Sequence, residues 1–300
     1  PVSGQMPRIV GLGYASKLFR NNKNLSDMHN FSINGNEVIF GTIGDASTSE
    51  GHFWESINAC GVLQIPVVMS IWDNGYGISV PSEYHTTRND LSKVLSGFQR
   101  SSKKENGFEL FTVKAWDYEG LLNAYSSAVN HARKDHVPSI IHVKDVTQPQ
   151  GHTTSGSHER YKSKERLQWE KDFCCIKRMR SWIIKNSIAD NKELDKIERK
   201  ALEKAKLARD ISWKAFRNPI EEDLNNAVAI ITRIAQHSPK NKMDILKIRE
   251  DLSKTIQPIK SDIYRSLKLV QRVIRSENNI AKSYLLNLIS EFEKKYFNHY

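Results

Sequence analysis

The feature that most constrains this chain is an alternation of two hydrophobic periods across its first half. "RIVGLGYASKLFR" (8–20) is apolar at helical spacing, and "NEVIFGTIGD" (36–45) is a short β-branched run. "TSEGHFWESINACGVLQ" returns to helical spacing, and "IPVVMSIWDN" (65–74) is a second strand. That is a βαβ unit. "FELFTVKAWD" (108–117) and "SIIHVKDV" (139–146) flank a further helical stretch, "YEGLLNAYSSAVNHARKD", so the sheet continues. The strands are nearly continuous apolar runs, as required when helices cover both faces. The expected fold is α/β, an open parallel sheet with helices on both faces.

From about residue 164 the strand signal stops and helical patterns follow one another. Leu202, Ala205, Ala208 and Ile211, then Leu224, Val228, Ile231 and Ala235, then Ile263, Leu267, Val270 and Ile274 recur at three and four residues. Pro219, Pro239 and Pro258 are expected to punctuate these helices. The expected organisation is an α/β domain over 1–190 and an all-helical segment over 191–300.

The chain carries 45 basic and 34 acidic residues, a net charge of +11. Such a balance raises nucleic acid as a partner, but in "KELDKIERKALEKAKLARD" the basic residues are interleaved with acids, the pattern of a solvated helix face. No nucleic-acid partner is expected. Cys60, Cys174 and Cys175 match neither a disulfide framework nor a zinc pattern, which points to a reducing, cytoplasmic setting. No apolar run has membrane-spanning length and no charged-then-apolar leader opens the sequence, so no membrane partner is expected. The chain starts at Pro1 inside a segment that already looks structured, and the expectation is a fragment truncated at its N-terminus.

Function is suggested where the first strand ends. In open parallel sheets, ligands collect at the carboxyl ends of the strands. Asp45 stands at such an end between Gly44 and the small residues Ala46 and Ser47, which leave room for a diphosphate against the backbone. A carboxylate cannot bind phosphate without a cation between them, and magnesium suits a site of one or two protein oxygens plus phosphate. The next strand ends in "WDNGYGIS", where Asn74 offers a neutral oxygen and Gly75 and Gly77 permit a tight loop. Taken singly, Asp45 is also what a helix N-cap looks like, and "DNGYG" an ordinary turn. The pair is more specific than its parts.

"GDAS" followed by "DN" resembles the thiamine diphosphate and magnesium motif of the transketolase superfamily. Within it, "GHFWESINACGVLQIPVVMSIWDNGYGIS" is similar to the alpha subunit of the decarboxylating component of 2-oxo acid dehydrogenases, with further likeness in "VSGQMPRIVGLGYASKLF" and "GHTTSGSHERYKSKER". The resemblance covers roughly residues 1–180. It implies a thiamine diphosphate-binding fold, with Asp45, the Asn74 side chain and the Tyr76 carbonyl as magnesium ligands. It also implies Gly44, Ala46 and Ser47 against the diphosphate, Val2 at the aminopyrimidine, and His152 as the catalytic histidine of an active-site loop. Ala46 stands where the motif has a second glycine, and Asp73 where it has the first of two asparagines. The tyrosine and arginine that hold the diphosphate in relatives would lie upstream of Pro1, so the fragment alone is expected to be inactive.

The implied activity is decarboxylation of a 2-oxo acid with acyl transfer to a lipoyl group. The implied partners are a beta subunit or fused beta half and a lipoyl-bearing acyltransferase component. "GHTTS" leans toward branched-chain substrates over pyruvate. Two other readings stand beside this one: another thiamine enzyme of the superfamily, and a non-catalytic interaction protein that keeps the fold. Residues 191–300 are read as a helical linker toward a beta half, or as an arm for subunit packing. Thr153, Thr154 and Ser155 fall in a loop phosphorylated in some relatives. Cys174 and Cys175 are read as packing residues, Trp54 and Trp72 as core, and His131, His136 and His142 as too dispersed for a metal cluster.

Overall fold

A computed structural model describes residues 2–148, 150–152, 157–278 and 280–296. It divides the chain into two compact units, 1–191 and 192–300.

The first unit runs α1 (Met6–Asn21), β1 (Ile39–Gly44), α2 (Gly51–Leu63), β2 (Val67–Trp72), a small hairpin of β3 (Tyr76–Gly77) and β4 (Val80–Pro81), and α3 (Leu91–Leu95). It continues with β5 (Glu109–Lys114), α4 (Tyr118–Asp135), β6 (Ser139–Lys144), α5 (Lys164–Asp172) and α6 (Cys175–Lys185). Four strands form one parallel sheet in the order β1-β2-β6-β5. The expected parallel α/β sheet is therefore what the chain forms.

Strand β2 shows why both faces are covered. Met69 and Ile71 turn into a core with Met6 and Ile9 of α1 and Phe53 and Ile57 of α2, whereas Val68 turns the other way, toward Ala124, Ala128 and Ala132 of α4. A period of two on a strand flanked by helices on both faces demands apolar residues at every position, and β2 is buried along five of its six residues. Helix α4 presents those three alanines one turn apart. The Asp117 side chain accepts from Gly120 N (3.0 Å) at its start, and His136 takes the left-handed conformation at its end. Phe53 is fully buried and ties α2 to the sheet, which fixes the turn between β1 and α2.

Trp72 departs from expectation. As the last residue of β2 it is 53% exposed, its indole Nε1 donating to Ser70 Oγ (2.9 Å), because the sheet ends there and a cleft begins.

The second unit is all-helical: α7 (Asn191–Gln236), α8 (Lys242–Lys254), α9 (Lys260–Val273) and α10 (Lys282–Tyr296). Its core includes Ile231, Ala235, Ile263, Leu267, Val270, Ile274, Leu285 and Ile289. Pro239 and Pro258 fall between helices, but Pro219 lies inside α7. Proline removes one donor to the carbonyl four residues earlier, and Ala215 sits on an exposed turn where water can take that carbonyl. The stripe at Leu202 and Ile211 is likewise exposed, at 58% each, so its helical period does not mark a buried face in this chain. Among the described residues no helix is long and apolar enough to cross a membrane.

Phe53→Ala is expected to destabilise the first unit by about 3–5 kcal/mol. Urea unfolding followed by tryptophan fluorescence checks this as a lowered midpoint.

Candidate functional site

The carboxyl ends of β1, β2 and β6 open into a cleft of about 700 Å³. Val2, Gly44, Asp45, Ala46, Ser47, Asn74, Tyr76 and His152 all line it, together with Trp72 and Gln148. Every residue singled out in the sequence as a candidate is thus brought to one place. Thr153, Thr154 and Ser155 lie outside the described residues.

Asp45 follows β1 directly, and its N–H donates to the Trp72 carbonyl (3.2 Å), so the sheet spacing itself sets where the carboxyl begins. The side chain caps no helix. Asp45 is 4% exposed and its Oδ2 is buried without a hydrogen-bond partner. Burial, and then the charge of Asp73 beside it, push its carboxyl up to about 7. A buried carboxyl oxygen without a donor is a site short of one positive group.

The loop after β2 is held from several sides. Asn74 Oδ1 accepts from Tyr76 N (2.9 Å), and Asn74 Nδ2 donates to Gln148 Oε1 (2.9 Å). Arg166 Nη2 of α5 donates to the Asn74 carbonyl (2.8 Å), and its guanidinium lies 5.6 Å from the Tyr76 ring centre. Arg166 is itself fixed by Glu170 (2.9 Å), which also holds the buried Lys162 (2.7 Å). Gly75 takes a φ of +78°, which the turn requires, and a side chain at Gly77 would approach the Ala46 methyl at 2.8 Å, so Gly77 serves the close approach of this loop to the one after β1.

On the other side of the cleft, Glu50 receives Val2 N (3.0 Å), Ser3 N (2.9 Å) and Ser3 Oγ (2.5 Å). The Ser3 donors hold the Glu50 carboxyl down at about 2. This clamp keeps Val2 at the cleft.

Among the described residues no group of three or more His, Cys, Asp or Glu side chains forms a metal cluster. A set of one carboxylate, one amide oxygen and one backbone carbonyl is of a different kind, and the bare Asp45 Oδ2 with small Gly44, Ala46 and Ser47 around it suits a cation bridging to phosphate.

With this geometry in view, comparison with known proteins decides the family, because the model of the dehydrogenase E1 component family matches residues 1–218. The chain belongs to the dehydrogenase E1 component family. The match takes in the whole α/β unit and ends inside α7. Among its relatives, the pyruvate dehydrogenase E1 component subunit alpha of Rickettsia bellii (strain RML369-C) is 26% identical over 76% of this chain and 63% of its own length. That of Rickettsia typhi (strain ATCC VR-144 / Wilmington) is 27% identical over 70% and 57%. The mitochondrial 2-oxoisovalerate dehydrogenase subunit alpha of Macaca fascicularis is 24% identical over 86% and 51%. The chain therefore spans roughly half to two thirds of the length of these curated relatives.

Several residues of the site escape a reading of the sequence. Asp73, noted there only as a departure from the motif, has its Oδ1 on Gly75 N (2.8 Å) and its Oδ2 on His142 Nε2 (2.8 Å). Burial opposes the charge on Asp73, but the hydrogen bond and charge of His142 and the Gly75 N–H outweigh it and hold its carboxyl below the usual range. Glu50, Gln148 and Arg166 are the others. Their partners are remote in sequence, and only the position of Glu50 just before α2 is a local signal.

The raised Asp45 carboxyl fixes the sign of a pH effect. Between about pH 4 and 7 the folded chain keeps a proton that the unfolded chain has released, so this contribution stabilises at low pH and is lost as pH rises through that window. The wild type minus Asp45→Asn difference in unfolding free energy is expected to fall with pH there, at no more than about 1.4 kcal/mol per pH unit. Thermal melts from pH 4 to 8 without divalent cation check it.

Proposed function

We propose that this chain is the alpha part of a thiamine diphosphate- and magnesium-dependent 2-oxo acid dehydrogenase, which decarboxylates its substrate and passes the acyl group to a lipoyl group. The observation that carries the reading is the unpartnered, buried Asp45 Oδ2 in a cleft shared with Asn74 and Tyr76. Family membership and the names of the relatives support it.

In this proposal Asp45, the Asn74 side chain and the Tyr76 carbonyl hold Mg²⁺, with the diphosphate against Gly44, Ala46 and Ser47. Thiamine diphosphate supplies carbanion stabilisation when bound. Val2, held at the cleft by Glu50, is assigned to the aminopyrimidine end. His152, on the cleft lining, is assigned to stabilising charge or moving a proton at the substrate's carbonyl oxygen.

The substrate is a 2-oxo acid, pyruvate or a branched-chain homologue, since relatives carry both names. The proposed partners are a beta subunit or fused beta half and a lipoyl-bearing acyltransferase, with residues 191–300 as the link or packing arm. The proposed setting is the cytoplasm, in keeping with three free cysteines.

The test is calorimetric titration of thiamine diphosphate with Mg²⁺ into the full-length protein together with its beta part. Magnesium-dependent binding is expected, weakened at least about tenfold in Asp45→Ala and in Asn74→Ala, since each removes a metal ligand. Folded wild-type protein that binds no cofactor with its beta part present would overturn the reading.

A further inference from the structure

The loop that carries Asn74 and Tyr76 rests on a hydrogen bond between Asp73 and the buried His142 that the motif does not require. Asp73 is tied to β6 by its backbone, its N–H donating to the Val143 carbonyl (2.8 Å) and its carbonyl accepting from Val146 N (2.9 Å). Its side chain divides two tasks. Oδ1 accepts from Gly75 N (2.8 Å) and shapes the left-handed turn there, while Oδ2 meets His142 Nε2 (2.8 Å). His142 lies in the middle of β6 and has no solvent exposure. Its Nδ1 lies 2.6 Å from Ser92 Oγ of α3, which is in turn 2.8 Å from Thr112 Oγ1 of β5. The ring therefore has a partner on each nitrogen and cannot rotate without breaking both.

Charge makes the ring necessary. Asp73 adds a second carboxylate beside Asp45, and with only 17% of its side chain exposed it is destabilising unless a donor meets it. The elements packed around Asp73 supply His142 from β6, the Gly75 N–H from its own loop and a hydrogen bond with the Asp45 carboxyl at the end of β1. Lys144, at the end of β6, is committed to Asp90 (3.1 Å). Without the imidazole, Asp73 would turn toward solvent or away from Asp45, and the Gly75 turn would go with it. An asparagine at 73 would carry no charge to offset: it could keep the Gly75 contact through its oxygen and turn its amide toward the His142 ring.

We propose that His142 is a positioning residue for this site, holding Asp73 and through it the Asn74–Tyr76 loop in the conformation that brings Asn74 and Tyr76 to Asp45. In its bearing on the cofactor this rests on the function proposed above. The claim about the loop stands on the geometry alone. It also explains how a second carboxylate is accommodated here: residues 73 and 142 act as a matched pair, so that changing His142 alone is harmful and changing both is much less so.

The test is a double-mutant cycle of wild type, Asp73→Asn, His142→Ala and the double variant in the full chain, read by amide hydrogen exchange at Gly75 and Tyr76. His142→Ala is expected to speed exchange at both amides by about tenfold or more, while Asp73→Asn and the double variant stay within about threefold of wild type. A residue that merely fills the core would not be rescued by removing a charge on its neighbour. Wild-type protection in His142→Ala, or a double variant no better than His142→Ala, would overturn the proposal. Should His142→Ala fail to fold, the same cycle with His142→Leu, which fills the space but offers Asp73 no donor, decides between the same two outcomes.

Titration of thiamine diphosphate with Mg²⁺ into the same proteins with their beta part separates the two claims. Loss of affinity in His142→Ala and recovery in the double variant supports both. If wild type binds no cofactor while the exchange cycle holds, the cofactor reading falls and the positioning role stands. If wild type and His142→Ala bind the cofactor equally well, the positioning role falls and the cofactor reading stands.

Discussion

A carboxyl group buried at the end of a parallel sheet, with one oxygen unpartnered, is the constraint around which this α/β unit is arranged. Asp45 lies where β1 gives way to the turn before α2, and its backbone is pinned to β2 through Trp72. Its neighbour Asp73 carries a second carboxylate, and His142 satisfies only that second one. The remaining deficit of positive charge faces the cleft. Burial and like charge both act against ionisation of Asp45, so the site favours either a proton or a cation there.

The rest of the unit positions the groups around that carboxyl. Phe53 and the α2 core set the turn after β1, and Glu50 at the start of α2 draws Val2 and Ser3 to the cleft. From ninety-two residues further along the chain, α5 sends Arg166 to the Asn74 carbonyl, and the buried Lys162–Glu170 pair fixes that arginine in turn. Glycine at 77 lets the two loops meet, and glycine at 75 allows the turn after β2. Each contact joins segments that the sheet has already placed side by side, so fold and site are built by the same register.

Much of this is legible in the sequence because it is local. The nearly continuous apolar run over 65–72 and the helical spacing over 118–135 reveal β2 and α4, and "GDAS" and "DNGYG" mark the two strand ends where Asp45 and Asn74 stand. What is not legible is pairing over distance. His142 is separated from Asp73 by an entire βαβ unit, and a histidine inside an apolar strand gives no sign of which group it faces. Arg166 looks like one more charge on a basic helix. Trp72 and the Leu202–Ile211 stripe mislead in the opposite direction, since apolar character and helical period do not say whether a neighbour covers the residue. Pro219 shows that a helix breaker yields where flanking residues favour helix and the freed carbonyl reaches water.

The central claim is that Asp45 is a metal carboxylate. The most direct measurement is a crystal structure of the full-length protein with its beta part, grown with thiamine diphosphate and Mn²⁺ in place of Mg²⁺, with anomalous scattering used to locate the metal. The account predicts one anomalous peak within coordination distance of an Asp45 carboxyl oxygen and of Asn74 Oδ1, about 2.0–2.2 Å from each. Ordered cofactor in the cleft with the metal held elsewhere, or with Asp45 still unliganded, would contradict it.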